Sequence, residues 1–175
     1  YGKVGATVAS ITINGGEFHC TNGIFAGGRG TDFFYSQNPY GGNSGNYKAL
    51  GKTYGNVELN IYGGIFYCPV FGGGYGVADA KEMGTSNVET LYDMARLYGQ
   101  SSVNIMGGTF YKNIYGGGDM AIVEFDGNAT NVVIGDSADI RGSVFAGGNG
   151  RRLRPASQAF AAGDGFTQHP ELVGL

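Results

Sequence analysis

The side chains in this chain that are able to do chemistry are few and widely separated. Cys20 and Cys68 are its two cysteines, and His19 and His169 its two histidines. A structural zinc site needs four Cys or His ligands in close pairs, a spacing these residues do not offer. Asp126, Asp136 and Asp139 gather in one stretch, and Asp119 follows a triple glycine. Calcium-binding nonapeptide arrays present Gly-Gly-x-Gly-x-Asp in tandem; no such series occurs, so these aspartates read as solvated turn residues. Glycine-rich phrases invite a phosphate-cradling loop, but no Gly-Lys-Ser/Thr follows any of them. Polysaccharide hydrolysis needs carboxylates along one groove, and Glu58, Glu82, Glu89 and the scattered aspartates assemble into no such set. The expectation is a chain with no catalytic residues, no metal site and no cofactor.

Two other groups of residues suit binding or cross-linking. Phe33, Phe34, Tyr35, Tyr40 and Tyr47 stand among Asn, Gly and Ser, and Tyr92 occupies a second long segment. Aromatic rings in such company offer large contact area at small entropic cost, which suits sugar rings or a protein partner. The alternative is that they fold down over the outside of a sheet. Cys20 and Cys68 each follow an equivalent phenylalanine by two residues, and buried free thiols are the alternative to a bridge between them.

The frame that positions these residues is a phrase written four times. It runs Ile13-Asn14-Gly15-Gly16-Glu17-Phe18 to Phe25-Ala26-Gly27-Gly28, then Ile61-Tyr62-Gly63-Gly64-Ile65-Phe66 to Phe71-Gly72-Gly73-Gly74. It returns as Ile105-Met106-Gly107-Gly108-Thr109-Phe110 to Tyr115-Gly116-Gly117-Gly118. The last copy is Ile134-Gly135-Asp136 with Ile140 to Phe145-Ala146-Gly147-Gly148. A recurring unit of this size cannot bury its apolar face alone and stacks on its neighbours. The segments before each double glycine, such as Val57-Glu58-Leu59-Asn60-Ile61, alternate with period two and predict strands. Double and triple glycines predict corners. Ile122-Val123-Glu124-Phe125 adds one more strand.

These features predict an all-β chain: a right-handed parallel β-helix (β-solenoid) with Gly corners over residues 1–150. Three inward ladders follow: Ile13/Ile61/Ile105/Ile134, Phe18/Phe66/Phe110/Ile140 and Phe25/Phe71/Tyr115/Phe145. In adjacent layers about 4.8 Å apart, Cys20 and Cys68 come within disulfide range. Long inserts at about 30–53 and 77–96 leave from equivalent corners and lie on one side. The second contains Ser86-Asn87-Val88-Glu89, a capping-box pattern ahead of helical spacing at Val88, Leu91, Tyr92 and Ala95. Arg96-Leu97-Tyr98-Gly99 also parallels Lys52-Thr53-Tyr54-Gly55. Residues 151–175 carry no repeat and form a C-terminal cap or linker, with Arg151, Arg152 and Arg154 as the basic cluster.

Composition narrows the function classes. The net charge is −3 and charged residues make up 14%, which leaves no basic footprint for nucleic acid. No apolar run approaches the ~20 residues of a membrane helix, so membrane insertion is not expected. Glycine, at 35 residues, is about three times its usual share, yet without the period of collagen. The chain opens inside a repeat-like phrase, Tyr1-Gly2-Lys3-Val4-Gly5, and reads as part of something longer.

Val57-Glu58-Leu59-Asn60-Ile61-Tyr62-Gly63-Gly64 and Asn113-Ile114-Tyr115-Gly116-Gly117-Gly118 resemble the glycine-rich repeats of large adhesin-like surface proteins of gut anaerobic bacteria. That resemblance covers about residues 6–150 apart from the inserts. It implies a non-enzymatic extracellular or cell-surface module with a structural or adhesive role, and it brings no catalytic residues. Expected partners are glycans, host or cell-surface proteins, and further copies through the solenoid ends. A glycan-binding or polysaccharide-active β-helix of the phage tail-spike kind is the rival reading, and a self-assembling filament subunit is a further one.

Overall fold

The computed structural model describes residues 6–30, 51–76 and 94–150. Among these the chain is all-β, and every strand pair is parallel. Copy one supplies β1 (Thr7–Ile13), β2 (Glu17–Phe18), β3 (Ile24–Phe25) and β4 (Thr53–Tyr54). Copy two supplies β5 (Asn56–Ile61), β6 (Ile65–Phe66), β7 (Val70–Phe71) and β8 (Leu97–Tyr98). Copy three gives β9 (Ser101–Phe110), β10 (Ile114–Tyr115) and β11 (Val123–Glu124), and copy four β12 (Thr130–Ile140) and β13 (Val144–Phe145).

Equivalent strands of successive copies lie side by side. One sheet runs β1-β5-β9-β6-β2, with β12 on β9; the second runs β13-β10-β7-β3 and the third β11-β8-β4. The register joins the residues that the repeats align. Ile13 pairs Ile61, Ile61 pairs Ile105, and Ile105 pairs Ile134. Phe18, Phe66, Phe110 and Ile140 form a second row, and Phe25, Phe71, Tyr115 and Phe145 a third. Rings in these rows stack face to face, with centroids 4.4 Å apart for Phe66–Phe110 and 4.7 Å for Phe71–Tyr115. The core is therefore a set of columns. Val57, Leu59, Ile61, Phe66, Val103, Ile105 and Phe110 fill its centre.

Three details differ from the sequence reading. The double glycine is not always a corner, since β9 runs unbroken through Gly107 and Gly108. What recurs is the backbone at the second glycine, with φ of +112° at Gly16, +122° at Gly64 and +109° at Gly108, a conformation that other residues adopt only with strain. In copy four an extra residue is absorbed as a register shift between Ile134 and Ser137. Second, the triple glycine is a site of close approach. A Cβ on Gly74 would lie 2.4 Å from the Ala95 carbonyl oxygen, and one on Gly72 2.4 Å from that of Gly116. Third, Ile134 and Phe145 hold their ladder register but are not enclosed; they are 41% and 44% exposed, and among the described residues their strands pair on one side only.

Candidate functional site

The aromatic residues singled out for binding, Phe33, Phe34, Tyr35, Tyr40, Tyr47 and Tyr92, lie outside the described residues. So does the expected helix, apart from Met94 and Ala95, which form a turn. The C-terminal segment 151–175 is likewise outside. The described residues do define where both inserts leave and return. Arg29 bridges Tyr75 just before each departure, and Thr53 pairs Leu97 just after each return. Departure and return also touch within one copy: a Cβ on Gly51 (φ +73°) would sit 2.2 Å from the Arg29 carbonyl oxygen. In copy three the same position is crossed directly, from Asp119 to β11 through Met120, whose φ is +53°. The residues that flank the two inserts thus lie side by side and form one foot.

Cations and rings surround that foot. Tyr54 and Tyr98 stack with centroids 4.9 Å apart. Lys52 Nζ and the Arg96 guanidinium lie 5.9 and 5.3 Å from the Tyr98 ring centre, within cation–π range. Arg96 also pairs Glu124 at 2.6 Å, and Arg29 lies 5.7 Å from the Tyr75 ring centre.

A second aromatic column, which the sequence analysis missed, stands on the outer face of the first sheet. His19, Tyr67 and Tyr111 stack at 4.5 and 4.8 Å, and Arg141 caps Tyr111 at 4.6 Å. Each follows the inward residue of its ladder by one position, so strand alternation turns it outward. The aromatic residue after Phe66 and Phe110 was a signal in the sequence. Charge pairs close both ends of the column: His19 Nε2 donates to Glu17 Oε1 at 2.8 Å, and Arg141 Nε donates to Asp139 Oδ2 at 2.9 Å. The hydrogen bond it donates to Asp139 holds the Arg141 guanidinium above its already high ordinary pKa. Tyr62, Ile65, Tyr67 and Tyr111 are exposed between the two charge pairs. Because ring faces are used up within the column, it offers ligands ring edges and phenol oxygens.

In the same sheet, Thr12, Asn60 and Asn104 align, and Asn104 Nδ2 donates to Asn60 Oδ1 at 2.7 Å. Asp119 corrects an expectation. It is fully buried and accepts from Asn149 Nδ2 at 3.0 Å, so it belongs to the core rather than to a solvated turn. Asp139 is an exposed surface ion-pair partner, as noted above.

Cys20 and Cys68 come together as neighbours of adjacent copies. Both are free thiols, Cys68 buried and Cys20 half-buried. Burial pushes the Cys68 thiol up to about 11, with a further contribution from its hydrogen bond with the Cys20 thiol. Among the described residues, no group of three or more His, Cys, Asp or Glu is placed to hold a metal ion. No family model, curated protein or solved structure matches the chain.

Proposed function

We propose that this chain is a right-handed parallel β-helix serving as a non-enzymatic structural or adhesive module of an extracellular bacterial surface protein. What carries the reading is the shared register of the four copies, which joins equivalent side chains from one copy to the next. An array of this kind is a rigid one-dimensional scaffold whose exterior is free for recognition. In this reading the inserts and the cations and rings at their foot form the principal contact surface, and the His19–Tyr67–Tyr111 column forms a second. Glycans and surface proteins are the partners whose chemistry suits exposed phenols and amides. The test is a panel of polysaccharides and host glycans assayed for both binding and cleavage. Binding without turnover is the expected outcome; turnover of any member would overturn the non-enzymatic assignment in favour of a polysaccharide-active β-helix.

Self-assembly is a second reading, favoured by one observation. Val133, Ile134, Val144 and Phe145 are exposed on β12 and β13, which among the described residues pair only with copy three. Such edges can accept another strand. Concentration-dependent filaments in sedimentation and electron microscopy would support this reading, and a monodisperse monomer would remove it.

A further inference from the structure

We propose that Cys20 and Cys68 form a disulfide that staples copy one to copy two. The inference does not rest on the adhesive reading. Its ground is register. Phe18 pairs Phe66, and the Tyr67 amide donates to the Phe18 carbonyl at 2.9 Å. On the far side, the Ile24 amide donates to the Pro69 carbonyl at 3.0 Å. Cys20 and Cys68 lie between these two bonds, each one position beyond the His19 and Tyr67 rings, which stack at 4.5 Å. Neighbouring parallel strands about 4.8 Å apart bring Cα atoms within the range a disulfide spans. The two surplus residues of copy one fall between His19, which stacks on Tyr67, and Gly23, where a Cβ would lie 2.8 Å from the Pro69 carbonyl oxygen.

The location explains what such a staple does. The equivalent position in copy three is Lys112 and in copy four Gly142, so no further thiol extends the row. The pair therefore acts at the junction of the first two copies. Among the described residues copy one has a partner on one side only, and Ile11, Ile13 and Phe18 are half-buried where their copy-two equivalents are fully buried. An end copy of a repeat array frays first. A covalent tie at that junction closes a loop from residue 20 to residue 68 and removes the opened states that contain it.

An exchangeable small disulfide serves as the oxidant. The half-buried Cys20, as thiolate, attacks one sulfur of RSSR; a mixed disulfide forms and RS⁻ leaves. The Cys68 sulfur then attacks the Cys20 sulfur, the second RS⁻ departs, and both take up the protons the cysteines lost. Two protein thiols and RSSR give one protein disulfide and two RSH.

The test treats the full chain with excess oxidised glutathione. The expected product has lost the mass of two hydrogens and yields a joined Cys20–Cys68 peptide in a non-reducing digest. Hydrogen exchange of the β1 amides should slow by about tenfold or more on bridging, while β12 exchange is unchanged. The Cys68→Ser chain should instead retain glutathione on Cys20. Glutathione left on Cys20 with Cys68 free in the unsubstituted chain would overturn the proposal. So would an unmodified Cys20 in the Cys68→Ser chain, or β1 exchange that is the same before and after bridging.

Discussion

The middle copies and the end copies are built from the same residues at the same register, yet they differ in what those residues bury. Ile61 and Ile105 have no exposed surface, while Ile134 in the same row is 41% exposed. Phe71 is enclosed between Phe25 and Tyr115, whereas among the described residues Phe145 contacts a ring on one side only. Burial here is a property of position in the row and not of the phrase itself. Each copy supplies half of the enclosure of the next, so stability accumulates at the junctions.

The comparison is broken most severely by a charge. Phe66→Asp places a carboxylate between Phe18 and Phe110, at a cost comparable to the whole ~5–15 kcal/mol stability of an ordinary domain. The chain should lose its β-type circular dichroism at room temperature. The same change at Phe145 should cost no more than about 1 kcal/mol by denaturant titration. Equal effects at the two sites would mean that an unseen surface covers copy four. Next in size, Ile105→Ala should cost about 2–5 kcal/mol and Ile134→Ala well under half of that, both read from urea midpoints.

Removal of residues 32–49 tests the shared foot of the inserts. The ends of that segment already touch, and copy three crosses the same position directly. Thermal stability should change little, and any glycan or cell binding that depends on the first insert should vanish. The smallest effect concerns the reduced chain at high pH. Burial raises the Cys68 thiol from 9.0 to about 11, so the folded state favours its protonated form. The associated stabilisation is complete below pH 9 and is lost as pH rises towards 11. A Cys68→Ser chain should lack this alkaline loss, as monitored by urea midpoints under reducing conditions. In the native reduced chain an alkylating reagent should modify Cys20 well before Cys68.

The rows of the core were legible in the sequence because one rule governs them: a repeated residue meets its own equivalent. Ile13, Phe18 and Phe25 announce their partners by spacing alone, and so does the Thr53–Leu97 pairing beyond two long inserts. Features set by distance through space were not legible. Asp119 is a turn residue by type, and only the fold shows it buried against Asn149. The glycines of Gly72-Gly73-Gly74 read as corners, while their demand comes from close backbone: Gly116 to Gly118 of the following copy against Gly72 and Gly73, and the Gly28 and Ala95 carbonyls against Gly74. The exposure of Ile134 could not be seen either, since its neighbours along the chain match those of a buried residue. The His19–Tyr67–Tyr111–Arg141 column was available from strand alternation, but attention to inward positions passed over it. Of the candidate site, the described residues hold only the points of departure and return, and the inserts with their aromatic residues fall outside them.

The contact between Gly51 and Arg29 has a consequence for how such a protein can change over generations. A segment whose two ends meet imposes no length on itself, and doubling a flexible loop costs only about 0.6 kcal/mol in closure entropy. Lineages carrying this architecture can therefore lengthen, shorten or exchange the segment between residues 30 and 51 while the rows beneath it stay as they are. Constraint is divided accordingly: glycines and apolar residues in the rows must suit their equivalents in neighbouring copies, and room for novelty lies where the chain departs and returns at a single point.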